Sequence, residues 1–135
     1  MLQTHLSEPN FKSILMPILI LIQRHWRLCS LLVLTAITIL SLYPVEFLPP
    51  VPGSDKTHHF IAYALLMFPV ALAKPKHWLW IGLFFITWSG AIELIQPYVN
   101  RYGEWLDLLA NATGLGLGVV LALLLRKVMP VSRKN

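Results

Sequence analysis

The chain has 135 residues, of which 56% are hydrophobic and only 13% charged. That balance excludes an ordinary soluble domain, where charged residues make up about 25%. The net charge of +5 does not point to nucleic acid, because Lys and Arg flank apolar runs instead of forming a stripe interleaved with aromatics. Cys29 is the single cysteine, which excludes an intramolecular disulfide and the zinc-finger and thioredoxin-like patterns.

Residues 1–27 form an N-terminal cytoplasmic or interfacial segment. Its apolar stretch, 14–22, is too short to span and carries Pro17, so it is expected to lie in the membrane interface. Met16 offers an alternative translation start. Four apolar runs follow, at 28–43, 59–73, 78–96 and 106–125. None alternates like a barrel strand, so each is predicted to be a helix. The first is expected to extend to about Phe47 and the second back to about Ser54, because both are short for a full span of about 20 residues.

Punctuation separates the helices. Pro44, Pro49, Pro50, Pro52 and Gly53 stop the first, Pro75 divides the second from the third, and Pro97 with Gly103 precedes the fourth. Trp26, Tyr43, Trp78, Trp80, Tyr98, Tyr102 and Trp105 fall at predicted helix ends, where amphipathic rings favour headgroup depth, while Trp88 lies inside a span. The run Ser41-Leu42-Tyr43-Pro44 has no signal-peptidase pattern, so the first helix is expected to remain as an anchor.

Basic residues set the orientation. Lys12, Arg24 and Arg27 precede the first helix, Lys74 and Lys76 lie between the second and third, and Arg126, Lys127, Arg133 and Lys134 follow the fourth, which leaves Lys56 and Arg101 for the opposite side. The retention of Lys and Arg on the cytoplasmic side places both termini there. The expected architecture is therefore all-α: a four-helix integral membrane bundle of two hairpins, with a core at 28–125 and a basic cytoplasmic tail at 126–135.

The polar side chains that hydrophobicity does not explain collect toward the outer ends of these helices. Asp55, Lys56 and His59 begin the second helix, Glu93 and Gln96 end the third, Arg101 lies in the loop, and Asp107 and Asn111 begin the fourth. Ionisable groups at membrane depth are costly and point to partners or function. At about 100° per residue, Asp55, Lys56, His59 and Tyr63 share one face, which favours His59 over His58. Ser89, Glu93 and Gln96 share a face of the third helix, and Asp107, Asn111, Gly114 and Gly118 share one of the fourth. The Gly114-x-x-x-Gly118 spacing suits close helix packing. A short repeat also emerges, Pro44, Asp55, His59 against Pro97, Asp107, Asn111, which suggests two parallel hairpins.

These residues resemble the VanZ family, small membrane proteins named for the one associated with teicoplanin resistance. The resemblance is carried by Asp55-Lys56-x-x-His59-x-x-x-Tyr63, Glu93-x-x-Gln96, Arg101 and Asp107-x-x-x-Asn111-x-x-Gly114-x-x-x-Gly118. It covers residues 28–125 and implies a multi-pass protein of the bacterial plasma membrane with a role at the cell envelope, teicoplanin resistance among the options.

Three chemistries suit the outer polar set. In the first, an outward-facing pocket recognises a lipid headgroup, a lipid-linked envelope precursor or a glycopeptide, with Lys56 and Arg101 holding phosphate or carboxylate and Asp55, Glu93 and Asp107 accepting hydrogen bonds. In the second, the same residues form a polar network that locks the helices together. In the third, Asp55 and His59 act as an acid/base pair on a lipid phosphate. Catalysis ranks behind binding because the chain has no nucleophile elbow or phosphate loop. Transport ranks last, because the inner halves of the helices are apolar. No H-E-x-x-H motif is present and no second histidine shares the His59 face, so neither a dedicated metal nor a cofactor is expected.

Overall fold

A computed structural model describes residues 10–44 and 52–128. Within them the chain forms five α-helices and no strand: α1, Phe11–Arg24; α2, Trp26–Leu42; α3, Asp55–Ala73; α4, Trp78–Ile95; and α5, Trp105–Val128. The last four match the predicted helices to within about a turn. The proposed extension of the first toward Phe47 lies outside the described residues.

Helix α1 is the addition to the expected four. Asn10 caps it through a hydrogen bond from the Lys12 amide to Asn10 Oδ1 (3.3 Å). The helix continues through Pro17 and buries Leu19, with Leu15, Met16 and Ile22 also packed on the core. Apolar side chains three and four apart give it a face to bury, which outweighs the donor that proline removes. At His25 the chain turns by 79° into α2.

The ends of α3 follow from local chemistry. Ser54 caps its start, accepting from the Thr57 amide at 3.2 Å, and Asp55 in the first turn complements the helix dipole. Lys74 closes it in the left-handed region at φ 47°, where its amide donates to the Val70 carbonyl at 2.7 Å. Helix α4 tightens into a 3-10 turn, Gln96–Val99, as Pro97 withdraws its donor, and Asn100 at φ 56° ends that turn.

Helix α3 is the centre of the bundle. Tyr63, Leu66, Met67, Val70, Ala71 and Leu72 are all buried, against Phe85 and Ile92 of α4 and Leu115 and Ala122 of α5. Its tightest neighbour is α5, which runs parallel to it. A Cβ on Gly114 would collide with the Phe60 carbonyl, and one on Gly118 would lie 2.5 Å from the Ala64 carbonyl, so the absence of side chains lets the two backbones touch. Elsewhere single polar bonds tie helices together: Ser30 Oγ to the Leu66 carbonyl (3.4 Å), Trp88 Nε1 to Thr38 Oγ1 (3.0 Å), and Arg126 Nη1 to the Leu72 carbonyl (2.9 Å).

The outside of the bundle is apolar. Leu31, Leu32, Ile39 and Leu40 of α2, Leu79, Leu83 and Leu94 of α4, and Leu109, Val120 and Leu124 of α5 are exposed. A continuous surface of that kind belongs against lipid. Trp78–Val99 and Trp105–Lys127, of 22 and 23 residues, are long and apolar enough to cross a membrane, and α1 with α2 supplies a third span if the bent pair counts as one. The four expected spans are not all met by length and composition. Helix α2 has only 17 residues, and α3 opens with Asp55, Lys56, His58 and His59, which lower its apolar character. As the most buried helix, α3 also has the least need for a lipid-compatible surface.

Candidate functional site

The N-terminal ends of α3 and α5 and the C-terminal ends of α2 and α4 lie together, and two polar groupings form there. The first is centred on His59. Its Nδ1 lies 3.1 Å from Asn111 Oδ1, and Asn111 Nδ2 donates to Ser89 Oγ at 2.7 Å. A carbonyl oxygen only accepts, so Nδ1 carries the proton. Tyr63 meets the same Ser89 hydroxyl from α3. His59 Nε2 points the other way, 3.9 Å from both Asp55 Oδ1 and Asp107 Oδ2.

Carboxylates crowd this end of the imidazole. Lys56 Nζ contacts Glu104 Oε2 at 2.7 Å and Asp107 Oδ1 at 3.6 Å. Glu93 Oε2 accepts from the Glu104 amide at 3.0 Å. That bond depends on Gly103, because a Cβ there would strike the Glu93 carbonyl. Glu93 Oε1 and Asp107 Oδ1 are buried and accept no hydrogen bond. Asp55 and Asp107 thus flank the imidazole, Glu104 and Asp107 flank the lysine, and Glu93 joins them through the Glu104 amide. The N-terminal dipoles of α3 and α5 offset part of that charge.

Asp107, Asn111 and Ser89 are almost fully enclosed, at 2%, 1% and 0% exposed. The Asp55, Lys56 and Glu104 side chains form an open rim above them, at 62%, 43% and 50%. Access to the buried acceptors is therefore from the loop side. The repeat seen in the sequence has a spatial counterpart: its matching members Asp55 and Asp107 flank the same imidazole nitrogen, and His59 bonds Asn111.

The second grouping holds Gln96 and Arg101. Gln96 Nε2 donates to the Ser41 carbonyl at 3.2 Å while its Oε1 is buried without a donor, and Arg101 Nη1 lies 3.4 Å from the Leu40 carbonyl and 3.2 Å from that of Tyr43. These carbonyls have no helical donor left at the end of α2, so the two side chains act as its C-terminal cap. Arg101 is directed there instead of joining Lys56, so the expected pair of anion-holding cations is not assembled. His58 also stands apart, its Nε2 on the Pro52 carbonyl at 2.9 Å.

Of the residues singled out in the sequence, Asp55, Lys56, His59, Tyr63, Glu93, Asp107 and Asn111 come together in the first grouping, and Gln96 and Arg101 in the second. Gly114 and Gly118 form the seam beneath the first. Glu104 was missed. Its carbonyl accepts from the Asp107 amide at 2.9 Å, so it opens α5, and an acid just before an apolar run is the signal that marks it.

Fold and site together define a protein that is all-helical among the described residues, with two or three helices long and apolar enough to cross a membrane and an acidic, histidine-centred cluster at one end. Family models, curated proteins and solved structures give no match to this chain.

Proposed function

We propose that this is a VanZ-like integral membrane protein of the bacterial plasma membrane, with four spans and both termini cytoplasmic, which binds an envelope ligand through the His59 cluster on the outer side. The observation that carries this reading is a pair of buried carboxylate oxygens that accept no hydrogen bond, Glu93 Oε1 and Asp107 Oδ1, the second with only the Lys56 ammonium at 3.6 Å. A network evolved only for packing is expected to close its hydrogen bonds, since each unsatisfied buried acceptor costs about 1–3 kcal/mol. Here the missing donors suit a ligand bearing hydroxyl, amide or ammonium groups, such as a lipid headgroup, a lipid-linked cell-wall precursor or a lipoglycopeptide. Lys56, already held by Glu104, serves to shape the rim, and Arg101 serves α2.

A purely structural network is the competing reading, and the closed chain His59–Asn111–Ser89 favours it locally. Teicoplanin susceptibility separates the two, with vancomycin as comparison, in bacteria expressing wild type, His59→Ala or Asp107→Asn at matched membrane abundance. Selective protection by wild type that both variants lose supports the binding reading. Variants that fail to accumulate, or that protect like wild type, support the structural one. No protection by wild type removes teicoplanin from the ligand classes.

A further inference from the structure

Two of the carboxylates in the His59 cluster raise a question that an organic ligand does not answer: why one imidazole nitrogen faces both Asp55 and Asp107. His59 turns Nδ1 to Asn111 and Nε2 to both Asp55 and Asp107. One nitrogen and two carboxylate oxygens from two helices thus converge on one point, the arrangement that a bound cation takes. We propose that Asp55, His59 and Asp107 bind a divalent transition-metal ion, Zn²⁺ or Mn²⁺.

The geometry is close to that of a site. One ligand atom from each of the three residues lies within 4.8 Å of the others. Neighbouring donors around an ion with bonds of about 2.1 Å stand about 3.0–3.4 Å apart. The 3.9 Å separations at Nε2 therefore need to close by less than an ångström, and Asp55, whose side chain is open to solvent, is free to rotate inward.

An independent observation comes from a third helix. Glu93 of α4 is 8% exposed, and its Oε1 has no hydrogen-bond partner. It lies within electrostatic range of His59, Asp107 and Asp55. A buried carboxylate oxygen without a donor, within electrostatic reach of three ligand groups, is a natural fourth donor or an acceptor for a metal-bound water. Asn111 supplies the orienting bond that metal-ligating histidines usually make through their second nitrogen, and Ser89 holds Asn111 in turn.

One nitrogen and two or three carboxylate oxygens suit Zn²⁺ and Mn²⁺ better than the all-oxygen shells of Mg²⁺ and Ca²⁺. This set leaves coordination positions for an outside oxygen. The inference does not rest on the envelope ligand, and it is tested with the metal alone.

The full-length protein, purified in detergent and stripped with chelator, is titrated with Zn²⁺, Mn²⁺ and Mg²⁺ by calorimetry, with helical circular dichroism as the check of fold. Wild type is expected to bind one equivalent of Zn²⁺ saturably, Mn²⁺ more weakly and Mg²⁺ weakest, following the usual order of divalent affinities. His59→Ala and Asp107→Asn should lower Zn²⁺ affinity by about 100-fold or more, and Asn111→Ala, which acts through His59, by about 10–100-fold. Thr113→Ala, on the exposed face of α5, should bind as wild type does. If the buried variants lose helicity, Asp55→Asn decides, since its exposed side chain leaves the fold intact. A folded wild type that binds neither Zn²⁺ nor Mn²⁺, or a folded Asp55→Asn that binds Zn²⁺ as tightly as wild type, overturns the proposal.

Discussion

Two polar groupings lie at the same end of this bundle and differ in what they leave over. Around Gln96 and Arg101, side-chain donors meet the carbonyls at the end of α2, and the one buried oxygen left over, Gln96 Oε1, is a neutral amide oxygen. Around His59, acceptors outnumber donors, and two carboxylate oxygens are buried with none. The first pattern is that of a cap that holds a helix end in place. The second holds acceptors ready for a group that the chain itself does not supply. Polarity inside an apolar bundle is therefore not by itself a mark of function; the charge on the oxygens left over tells the two apart.

That contrast can be broken by substitution. The largest effect is expected from Gly114→Leu, whose side chain would drive α3 from α5 where the Phe60 carbonyl now touches the glycine. A loss of about 3 kcal/mol is expected, read as a fall in folded protein by detergent unfolding, because the seam carries the His59 grouping while the α2 cap stands outside it. Asn111→Ala comes next. It removes the bonds to both His59 and Ser89 and should cost about 2 kcal/mol by the same unfolding measurement. Arg101→Ala should cost only about 1 kcal/mol and leave ligand or metal binding at the His59 grouping unchanged, since it frees carbonyls that water can reach. Trp88→Phe, which loses the bond to Thr38, should cost about 0.6 kcal/mol, typical of a hydrogen bond between membrane helices.

The ordering shows how much of the molecule was legible in its residues. Helix positions were readable because proline and glycine interrupt apolar runs sharply, and the Asp55, His59 and Asp107, Asn111 spacings placed the right side chains on facing stripes. The destination of Arg101 was not readable. A loop arginine can reach several partners, and only the three-dimensional course of the 3-10 turn brings it over the end of α2. Glu104 was overlooked because it lies outside every apolar run, yet the glycine before it lets the backbone pass against Glu93. Helix α1 was read as an interfacial stretch because 14–22 is too short to span and carries Pro17; that it packs Leu19 onto the core was not readable. The proposed metal ligands were set aside in sequence because no H-E-x-x-H motif is present and no second histidine shares the His59 face, whereas the parallel packing of α3 and α5 brings Asp107 to Asp55 and His59.

The claim that the His59 grouping is poised for a missing cation or donor is tested most directly by the unfolding midpoint of Glu93→Gln in the presence of chelator. Gln keeps the carbonyl oxygen that accepts from the Glu104 amide, removes one negative charge and adds a donor where Oε1 now has none. If carboxylates are in surplus there, the variant should unfold later than wild type, by about 1 kcal/mol. If it unfolds earlier, Glu93 has its charge satisfied within the fold, and the grouping is a packing network like the cap on α2.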